Sequence, residues 1–370
     1  MSEKKKLPKF LEKKTIIIED GDDSKSPVPP TATMAKIEKP PMSTFTKGLI
    51  LILISSLVIS FQNIVTKVIL TKQTILGIWE TGAYIKPGMG NSILILIIRM
   101  LIVLPIMALI VAPRIHNNTW NDIKSLRLPE NKTRLYASLA SGFFLFLSFF
   151  SIYLALGSRI PTGVATTLFF IYPTVTILIA WLAFKEKPSL SLIFAMITIY
   201  IGGFLCIPQE SFATKGEANI LFGASFAALS GAAFACYVTM IKLAKMHPAP
   251  FSITTFTIVL ILSSISLFFF KIEVPEGRWD ELFVACLILS MTTLVGYLLN
   301  NYGVPIIGPA LASVISASGP AVTAVMALSL INETMNLYQI VGVFLVTLWV
   351  LGISVENMKK QQVSQPKPNN

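Results

Sequence analysis

The chain has little charge and few of the side chains on which most catalytic sites depend. Only 13% of its 370 residues are Asp, Glu, Lys or Arg, and it contains two histidines and three cysteines. A soluble chain of this length needs roughly a quarter of its residues charged. With 54% hydrophobic residues and a mean hydropathy of +0.70, most of the chain is predicted to lie in lipid.

The long apolar segments have no Asp, Glu or His well inside them, and His116 and His247 fall in predicted loops. Chemistry at membrane depth needs an acid, a base, a nucleophile or a metal cluster. A lipid-modifying membrane enzyme is therefore disfavoured, and it stays an alternative together with a non-transporting membrane scaffold. The cysteines lie in apolar runs, where packing is their usual role, and neither a metal site nor a cofactor is predicted.

Ten apolar segments are each long enough to cross about 30 Å of hydrocarbon. Their predicted bounds are residues 48–70, 91–112, 134–157, 162–184, 189–207, 218–241, 251–271, 283–302, 310–331 and 338–355. The Gly308-Pro309 pair separates the eighth from the ninth. The predicted fold class is an all-α integral membrane protein of about ten transmembrane helices, preceded by a charged, proline-containing tail that reads as disordered.

Lysine and arginine residues collect on one side of the predicted membrane. With both termini in the cytoplasm, and counting from residue 36 onwards without Lys67 and Arg99 inside the helices, fifteen lie on the cytoplasmic side and six on the outer side, as the positive-inside bias requires. We therefore expect a multi-pass protein of the plasma (inner) membrane. This bias explains the net charge of +11 without nucleic acid. The expected partners are the lipid bilayer and a small-molecule substrate, and a homodimer is left open.

Two segments of the chain repeat at an offset of 147 residues. PTGVATTLFFIYPTVTILIAWLAFKEKPSL begins at position 161 and aligns without a gap with GPALASVISASGPAVTAVMALSLINETMNL, which begins at position 308. The alignment pairs Pro173 with Pro320 and Glu186 with Glu333. Because each half holds five helices, the second copy enters the membrane from the opposite side. Such inverted repeats are typical of secondary carriers.

The paired proline-to-glutamate segments, which end in Phe184-Lys185-Glu186-Lys187 and Ile331-Asn332-Glu333-Thr334, resemble the EamA-like family of the drug/metabolite transporter superfamily. The resemblance covers about residues 46–355 and leaves out the N-terminal tail and the 72–90 loop. It implies ten helices, a central cavity, and export or exchange of amino acids, nucleobases, drugs or related metabolites. The predicted halves are residues 47–207 and 208–356, flanked by cytoplasmic tails over 1–46 and 357–370.

We therefore expect a secondary transporter that moves small metabolites, such as amino acids or related organic solutes, by alternating access. It is an exporter, an exchanger or a facilitator. Arg99 lies inside the second apolar segment and is the better candidate for binding a carboxylate or phosphate. Lys67, near the outer end of the first, is a second candidate for the substrate pathway, and alternatively it snorkels to the interface. Without a buried acid, a neutral or anionic substrate is favoured.

Polar residues in the other apolar segments are further candidates for the substrate pathway, although each also serves as interhelical hydrogen-bond glue. They are Asn63, Tyr172, Tyr237, Asn300, Asn301 and Ser316.

Pro173 and Pro320 are predicted to kink the fourth and ninth helices in their middles, which frees the carbonyl four residues earlier. The kinks either line a pathway or serve packing. Glu186 and Glu333 end the same two helices on opposite faces of the membrane. Each either orders a tight turn or forms a gate with a basic residue, and for Glu186 the candidates include the neighbouring Lys185 and Lys187.

Overall fold

The structure is a computed structural model that describes residues 44–86, 88–157, 168–205, 220–332 and 336–364, and over these ranges it is almost entirely helical. They fall in one compact unit spanning Met42–Asn370. Most of the N-terminal tail, together with Glu333, lies outside the described residues.

The described part of the first half contains eleven elements. They are α1 Thr44–Leu70, β1 Lys72–Ile75, β2 Trp79–Gly82, α2 Met89–Pro105, a π-helical segment Ile106–Val111, α3 Ala112–Ile115, α4 Thr119–Ser125, a 3-10 turn Pro129–Asn131, α5 Lys132–Gly157, α6 Tyr172–Phe184 and α7 Leu190–Leu205.

The described part of the second half contains six helices. They are α8 Ile220–Ala244, α9 Pro248–Leu267, α10 Trp279–Ile307, α11 Pro309–Ser316, α12 Gly319–Ile331 and α13 Leu337–Ser364.

Seven helical stretches in the described residues are long and apolar enough to cross a membrane, and three shorter apolar helices accompany them: Tyr172–Phe184, Leu190–Gly202 and Leu337–Val350. Each of the ten corresponds to one predicted segment. Large apolar side chains on their outer surfaces, such as Leu109 and Leu182, are 72% and 70% exposed in the free chain, as expected where lipid is the solvent. The prediction of an all-helical membrane protein is confirmed.

The helices pair in a reciprocal pattern between the two halves. The first helix of one half, α1, packs along α10 and against α11 and α12 of the other half, while α8 packs along α5 and against α6. Two further pairs join equivalent helices, α2 with α9 and α7 with α13, and in addition α9 packs against α5, α10 against α2 and α11 against α6. Each first helix thus contacts the third and fourth helices of the opposite half, as two repeated halves require.

The ends of α6 and α12 are also equivalent. Lys185 and Asn332 follow these helices in the left-handed conformation, with φ of 58° and 50°, and their N–H groups donate to Ala180 and Ala327. The two positions are 147 residues apart. A left-handed residue after the last turn is a common way to end a helix, so the sequence repeat is also a repeat of local structure.

The two prolines begin helices rather than bending them. Pro173 is the second residue of α6, after a turn at Phe170 and Ile171, and Pro320 is the second residue of α12, after a turn at Ala317 and Ser318. The structure therefore differs from the predicted mid-helix kinks. In the first turn of a helix the missing proline N–H has no helical acceptor to lose, so a break there costs less than a kink.

The 72–90 loop, to which the sequence assigned no role, contains a β-hairpin. Strands β1 and β2 pair antiparallel from Lys72 opposite Gly82 to Ile75 opposite Trp79. The residue after β1, Leu76, donates its N–H to the carbonyl of Leu330 in α12 at 2.8 Å. The hairpin thus belongs to the first half by sequence and is hydrogen-bonded to the second.

Candidate functional site

Arg99 lies near the middle of the membrane-spanning part of α2. It follows Met89, the first residue of α2, by ten residues, which corresponds to about 15 Å along a helix axis, or half of the hydrocarbon thickness. Its side chain is 3% exposed. A cation at this depth costs several kcal/mol (on the order of 3) unless it finds a partner.

The surroundings of Arg99 stabilise its charge only in part. Its Cζ lies 4.7 Å from the centroid of the Phe149 ring in α5, which is a cation–π contact. Among the described residues, however, the buried Nε and Nη2 atoms have no hydrogen-bond partner. Arg99 also forms no ion pair with any described carboxylate. The predicted role of Arg99 as an anion-binding residue stays a prediction, and these free donors are its structural basis.

A row of aromatic rings runs from Phe149 across the interior of the molecule. Neighbouring centroids are 5.1 to 6.1 Å apart, within the range of favourable ring contacts. In order, the row contains Phe149, Tyr297, Tyr237, Phe234, Tyr172 and Phe169. It connects α5, α10, α8 and α6, and so places two of the predicted pathway tyrosines in one continuous surface with the ring under Arg99.

Tyr237 and Asn301 form a buried polar network. The Tyr237 hydroxyl donates to Asn301 Oδ1 at 2.7 Å, and Asn301 Nδ2 donates to Ser252 Oγ at 2.9 Å. All three residues are fully buried, and Asn300 beside them is 6% exposed. The network joins α8, α9 and α10, so in this conformation these side chains hold helices together, which is the glue role that the sequence left open.

Tyr172 also makes an interhelical bond, because its hydroxyl donates to the carbonyl of Ser313 in α11 at 3.1 Å. Ser316 ends α11 and is partly buried. Asn63, in α1, lies at the limit of hydrogen-bond distance, 3.5 Å, from Thr323 Oγ1 in α12. Lys67 is in the last turn of α1 and is partly buried. These residues are distributed along the contact between halves rather than gathered in one cluster.

Glu186 forms an ion pair with Lys242, the cation in the last turn of α8. Lys242 Nζ also lies 4.8 Å from the centroid of the Phe184 ring, and Glu186 Oε2 lies close to Gly308, which precedes α11. We call the pair Glu186 and Lys242 the clasp. It joins the end of α6 in the first half to the end of α8 in the second. The neighbouring lysines that the sequence offered as partners are not the ones that pair.

The backbone of Glu186 has a separate role, because its N–H donates to the carbonyl of Ala180 at 3.3 Å. Together with the bond from Lys185 to the same carbonyl, this closes the end of α6. The structure therefore shows an ordered turn at Glu186 and a cation paired with its side chain. The predicted role of Glu186 in a gate stays a prediction.

The two histidines meet in a cluster that the sequence did not reveal. Their rings are stacked with centroids 4.1 Å apart. His116 Nε2 lies 2.7 Å from Asp122 Oδ2, His247 Nδ1 accepts from the Ala249 N–H, and Tyr302 OH lies 3.2 Å from His247 Nε2. Burial, and secondarily the charge of His116, lowers the pKa of His247, which Asp122 partly opposes. The loops before α4 and α9 are thereby joined.

Comparison with known proteins gives one consistent likeness. The EamA-like transporter family matches residues 46–207 and 221–355. The chain is 36% identical over 314 residues to the uncharacterized transporter sll1319 of Synechocystis sp., which covers 84% of this chain and 94% of that protein. It is 26% identical over 189 residues to the uncharacterized transporter YyaM of Bacillus subtilis, covering 49% of this chain and 61% of that protein.

A solved crystal structure superimposes on the chain with a TM-score of 0.59 at 13% sequence identity, over 83% of this chain and 95% of the other. At this identity the likeness concerns the fold alone.

The two matched ranges show that Lys242 could have been singled out from the sequence by comparing the two halves. Residues 46 and 221, at which the two matches begin, are 175 positions apart, and so are Lys67 and Lys242. Both cations also lie in the last turn of their helices, α1 and α8. Glu186 and Glu333 are related by the 147-residue offset, so each half of the sequence carries one such lysine and one such glutamate: Lys67 and Glu186 in the first, Lys242 and Glu333 in the second.

Proposed function

Because the chain belongs to the EamA-like transporter family, we propose that it is a secondary transporter that moves small organic solutes, such as amino acids or related metabolites, by alternating access. The family consists of transporters and not of enzymes. The protein therefore acts on a solute that it carries across the lipid bilayer, and its two halves, over residues 47–207 and 208–356, supply the moving parts.

The clasp is the observation that carries this proposal. It joins helix ends from opposite halves at one face of the membrane, beside the start of α11. In a carrier with inverted repeats, one face closes while the other opens. An ion pair between halves at an interface is a contact that such a motion breaks and remakes. Both partners are partly exposed, so breaking the pair does not strand a charge in lipid.

The repeat assigns the opposite face an equivalent pair of residues. We propose on sequence grounds that Glu333 and Lys67 serve the outer face as Glu186 and Lys242 serve the inner one. Charge supports this orientation. From residue 36 onwards, without Lys67 and Arg99, fifteen lysines and arginines lie on the side that carries both termini and six on the other, and the positive-inside bias places the richer side in the cytoplasm. The proposed location is the plasma (inner) membrane.

Between the two faces, we propose that Arg99 contacts the solute and that the aromatic row borders its path. Tyr172, Tyr237 and Asn301 are hydrogen-bonded in this conformation, so they are proposed to line the path only when helices part. Asn300, Asn63 and Ser316 are further polar groups along the same contact between halves.

The test is counterflow in proteoliposomes with a panel of amino acids, nucleosides and organic anions. We expect saturable flux of at least one solute. Glu186→Gln and Lys242→Gln should each lower that flux by about tenfold or more, since each removes the clasp. The exchanged pair, Glu186→Lys with Lys242→Glu, should restore much of the flux.

Glu281→Gln is the matched control, because it breaks the exposed ion pair with Arg278 without affecting the clasp. Absence of saturable flux across the whole panel contradicts the proposed transport function. Wild-type flux in both single clasp variants contradicts the role of the clasp alone.

A further inference from the structure

Arg99 leaves one particular edge of its guanidinium without acceptors. In arginine, the Nε–H and one N–H of Nη2 point in nearly parallel directions from the same side of the planar group. These are the two nitrogen atoms that are buried and have no hydrogen-bond partner among the described residues. Two parallel donors about 2.3 Å apart match the two oxygens of a carboxylate, which is the bidentate geometry that arginine forms with that group.

The cost of this arrangement indicates that a group outside the described residues completes it. Each buried donor without a partner destabilises a folded protein, and a charged donor more than a neutral one. The Phe149 ring offers a cation–π contact, but that contact leaves the two N–H groups without acceptors. Within the described part of the chain, Arg99 thus has two N–H groups without acceptors at half membrane depth, and an anion would supply them.

We propose that the solute carried by this protein is a small organic monocarboxylate with an apolar body, bound through its carboxylate to Nε and Nη2 of Arg99. The inference rests on the proposed transport function for its physiological meaning, while binding itself can be measured without transport.

Charge selects a carboxylate over a phosphate. Arg99 is the one Lys or Arg of the described membrane helices that lies fully buried away from the helix ends. One cation neutralises a carboxylate, whereas a phosphate monoester carries a charge near −2 at neutral pH and would keep an uncompensated charge in a medium of low dielectric constant.

Charge also selects against a zwitterionic amino acid. In the described membrane helices, acidic residues occur only at the first turn of α10, as Asp280 and Glu281, and near the end of α13, as Glu356. An ammonium group next to the carboxylate would therefore lack an anionic partner at the depth of Arg99. The neighbouring surface is aromatic, with Phe149 and Tyr297 in contact with each other, and this favours an apolar body.

The experiment is calorimetric titration of the purified full-length chain in detergent with four probes. 3-Phenylpropanoate is the carboxylate, phenylalanine is the same molecule with an amino group added, 3-phenylpropanamide lacks the charge, and phenyl phosphate replaces the carboxylate by a dianion. We expect saturable binding of 3-phenylpropanoate that is about tenfold or more tighter than binding of each of the other three.

Two variants locate the site. Arg99→Gln should weaken binding of 3-phenylpropanoate by about tenfold or more, and Arg99→Lys should weaken it nearly as much, because lysine keeps the charge and loses the two parallel donors. Arg114→Gln, which removes an exposed arginine bonded to the Ile110 carbonyl, should bind as the wild type does. Thermal unfolding of each variant establishes that it is folded.

Three outcomes overturn the proposal: equal binding of 3-phenylpropanoate and phenylalanine, unchanged binding in folded Arg99→Gln, or no binding of the carboxylate. If flux of another solute is then found in proteoliposomes, the transport function stands and only the solute class fails. If 3-phenylpropanoate binds as expected and no solute is transported, the site stands and the transport function fails.

Discussion

Gly231 in α8 and the carbonyl of Phe169 are in direct backbone contact. A Cβ atom built on Gly231 would lie 2.2 Å from the Phe169 oxygen, which is far inside van der Waals contact. Phe169 directly precedes the turn at Phe170 and Ile171 that comes before α6, so its carbonyl lies at the break between two helical segments. The glycine allows α8 to approach this break as closely as it does.

The first prediction follows from this contact. Gly231→Ala should destabilise the protein by about 1–3 kcal/mol, because the helix must move away from the Phe169 carbonyl to admit the methyl group. The measurement is thermal unfolding in lipid nanodiscs. Gly352→Ala is the control: it is also in a helix but has nothing within 4 Å of its added Cβ, and it should stabilise by about 0.5–1 kcal/mol. Equal effects of the two substitutions would show that the close approach is unimportant.

Arg99→Met tests the cost of the buried cation. Methionine keeps a similar shape and removes an unpaired charge, so we expect the unfolding free energy to rise by about 1–3 kcal/mol, while carboxylate binding is lost. Nanodisc unfolding curves report the stability change. Arg114→Met, at an exposed position, should change it little. Destabilisation by Arg99→Met would mean that the guanidinium is satisfied in the resting protein.

Tyr237→Phe removes one hydroxyl from the buried network. Asn301 Oδ1 then loses its 2.7 Å donor in a site that water does not reach, and a loss of about 1–3 kcal/mol is expected. Tyr338→Phe, in which the parent side chain is 57% exposed, should be nearly neutral in the same unfolding assay. If both substitutions are neutral, the network contributes little to stability.

The histidine cluster predicts a loss of stability in acid. Because the pKa of His247 is lowered in the folded protein, its contribution is present above the ordinary histidine pKa of about 6.5 and is lost as the pH falls through the lowered value. Protonation of Nδ1 would also break the bond from the Ala249 N–H.

Asparagine keeps an acceptor for that N–H and does not titrate. His247→Asn should therefore flatten the decline of the unfolding midpoint between pH 7 and pH 5. The facing groups His116, Asp122 and Tyr302 are the same in both proteins, so a difference between the two profiles reports on His247. An identical pH profile for the two proteins would rule out His247 as the titrating group.

Transport is predicted to respond only weakly to a proton gradient. The apolar cores of the membrane helices contain no Asp, Glu or His, which are the groups that usually couple carriers to protons. Flux should be measured in proteoliposomes with pH and membrane potential varied separately, and with protein-free liposomes to correct for the permeation of neutral acids. Strong proton coupling that disappears in Glu186→Gln would refute this expectation.

Hydropathy predicted the ten helices because a long apolar segment in lipid satisfies its own backbone hydrogen bonds by forming an α-helix. It did not predict the breaks before Pro173 and Pro320. A proline is equally compatible with a kink and with the first turn of a new helix, and the choice depends on what packs beside it, such as Gly231. The hairpin was missed because strands of four residues give a weak signal beside long apolar runs.

At the site, sequence reasoning singled out Arg99 and Glu186 but not their neighbours. A buried cation is conspicuous in an apolar run, whereas the Phe149 ring is one of 24 phenylalanines, and its place under Arg99 depends on how α2 and α5 cross. Lys185 and Lys187 were considered for Glu186 because they are adjacent in sequence. The left-handed turn at Lys185 instead presents Glu186 to Lys242 from the other half.

The hairpin bond from Leu76 to Leu330 has a mechanical consequence. The strand is attached covalently to α1, and the partner of its Leu76 N–H belongs to α12, so the hairpin links the two halves through the chain at one end and through this hydrogen bond at the other. Any displacement of α12 away from α1 must either rupture this tether or pull the strand along. If the halves move as proposed, we therefore expect the hairpin to limit how far α12 separates from α1 on this face of the membrane.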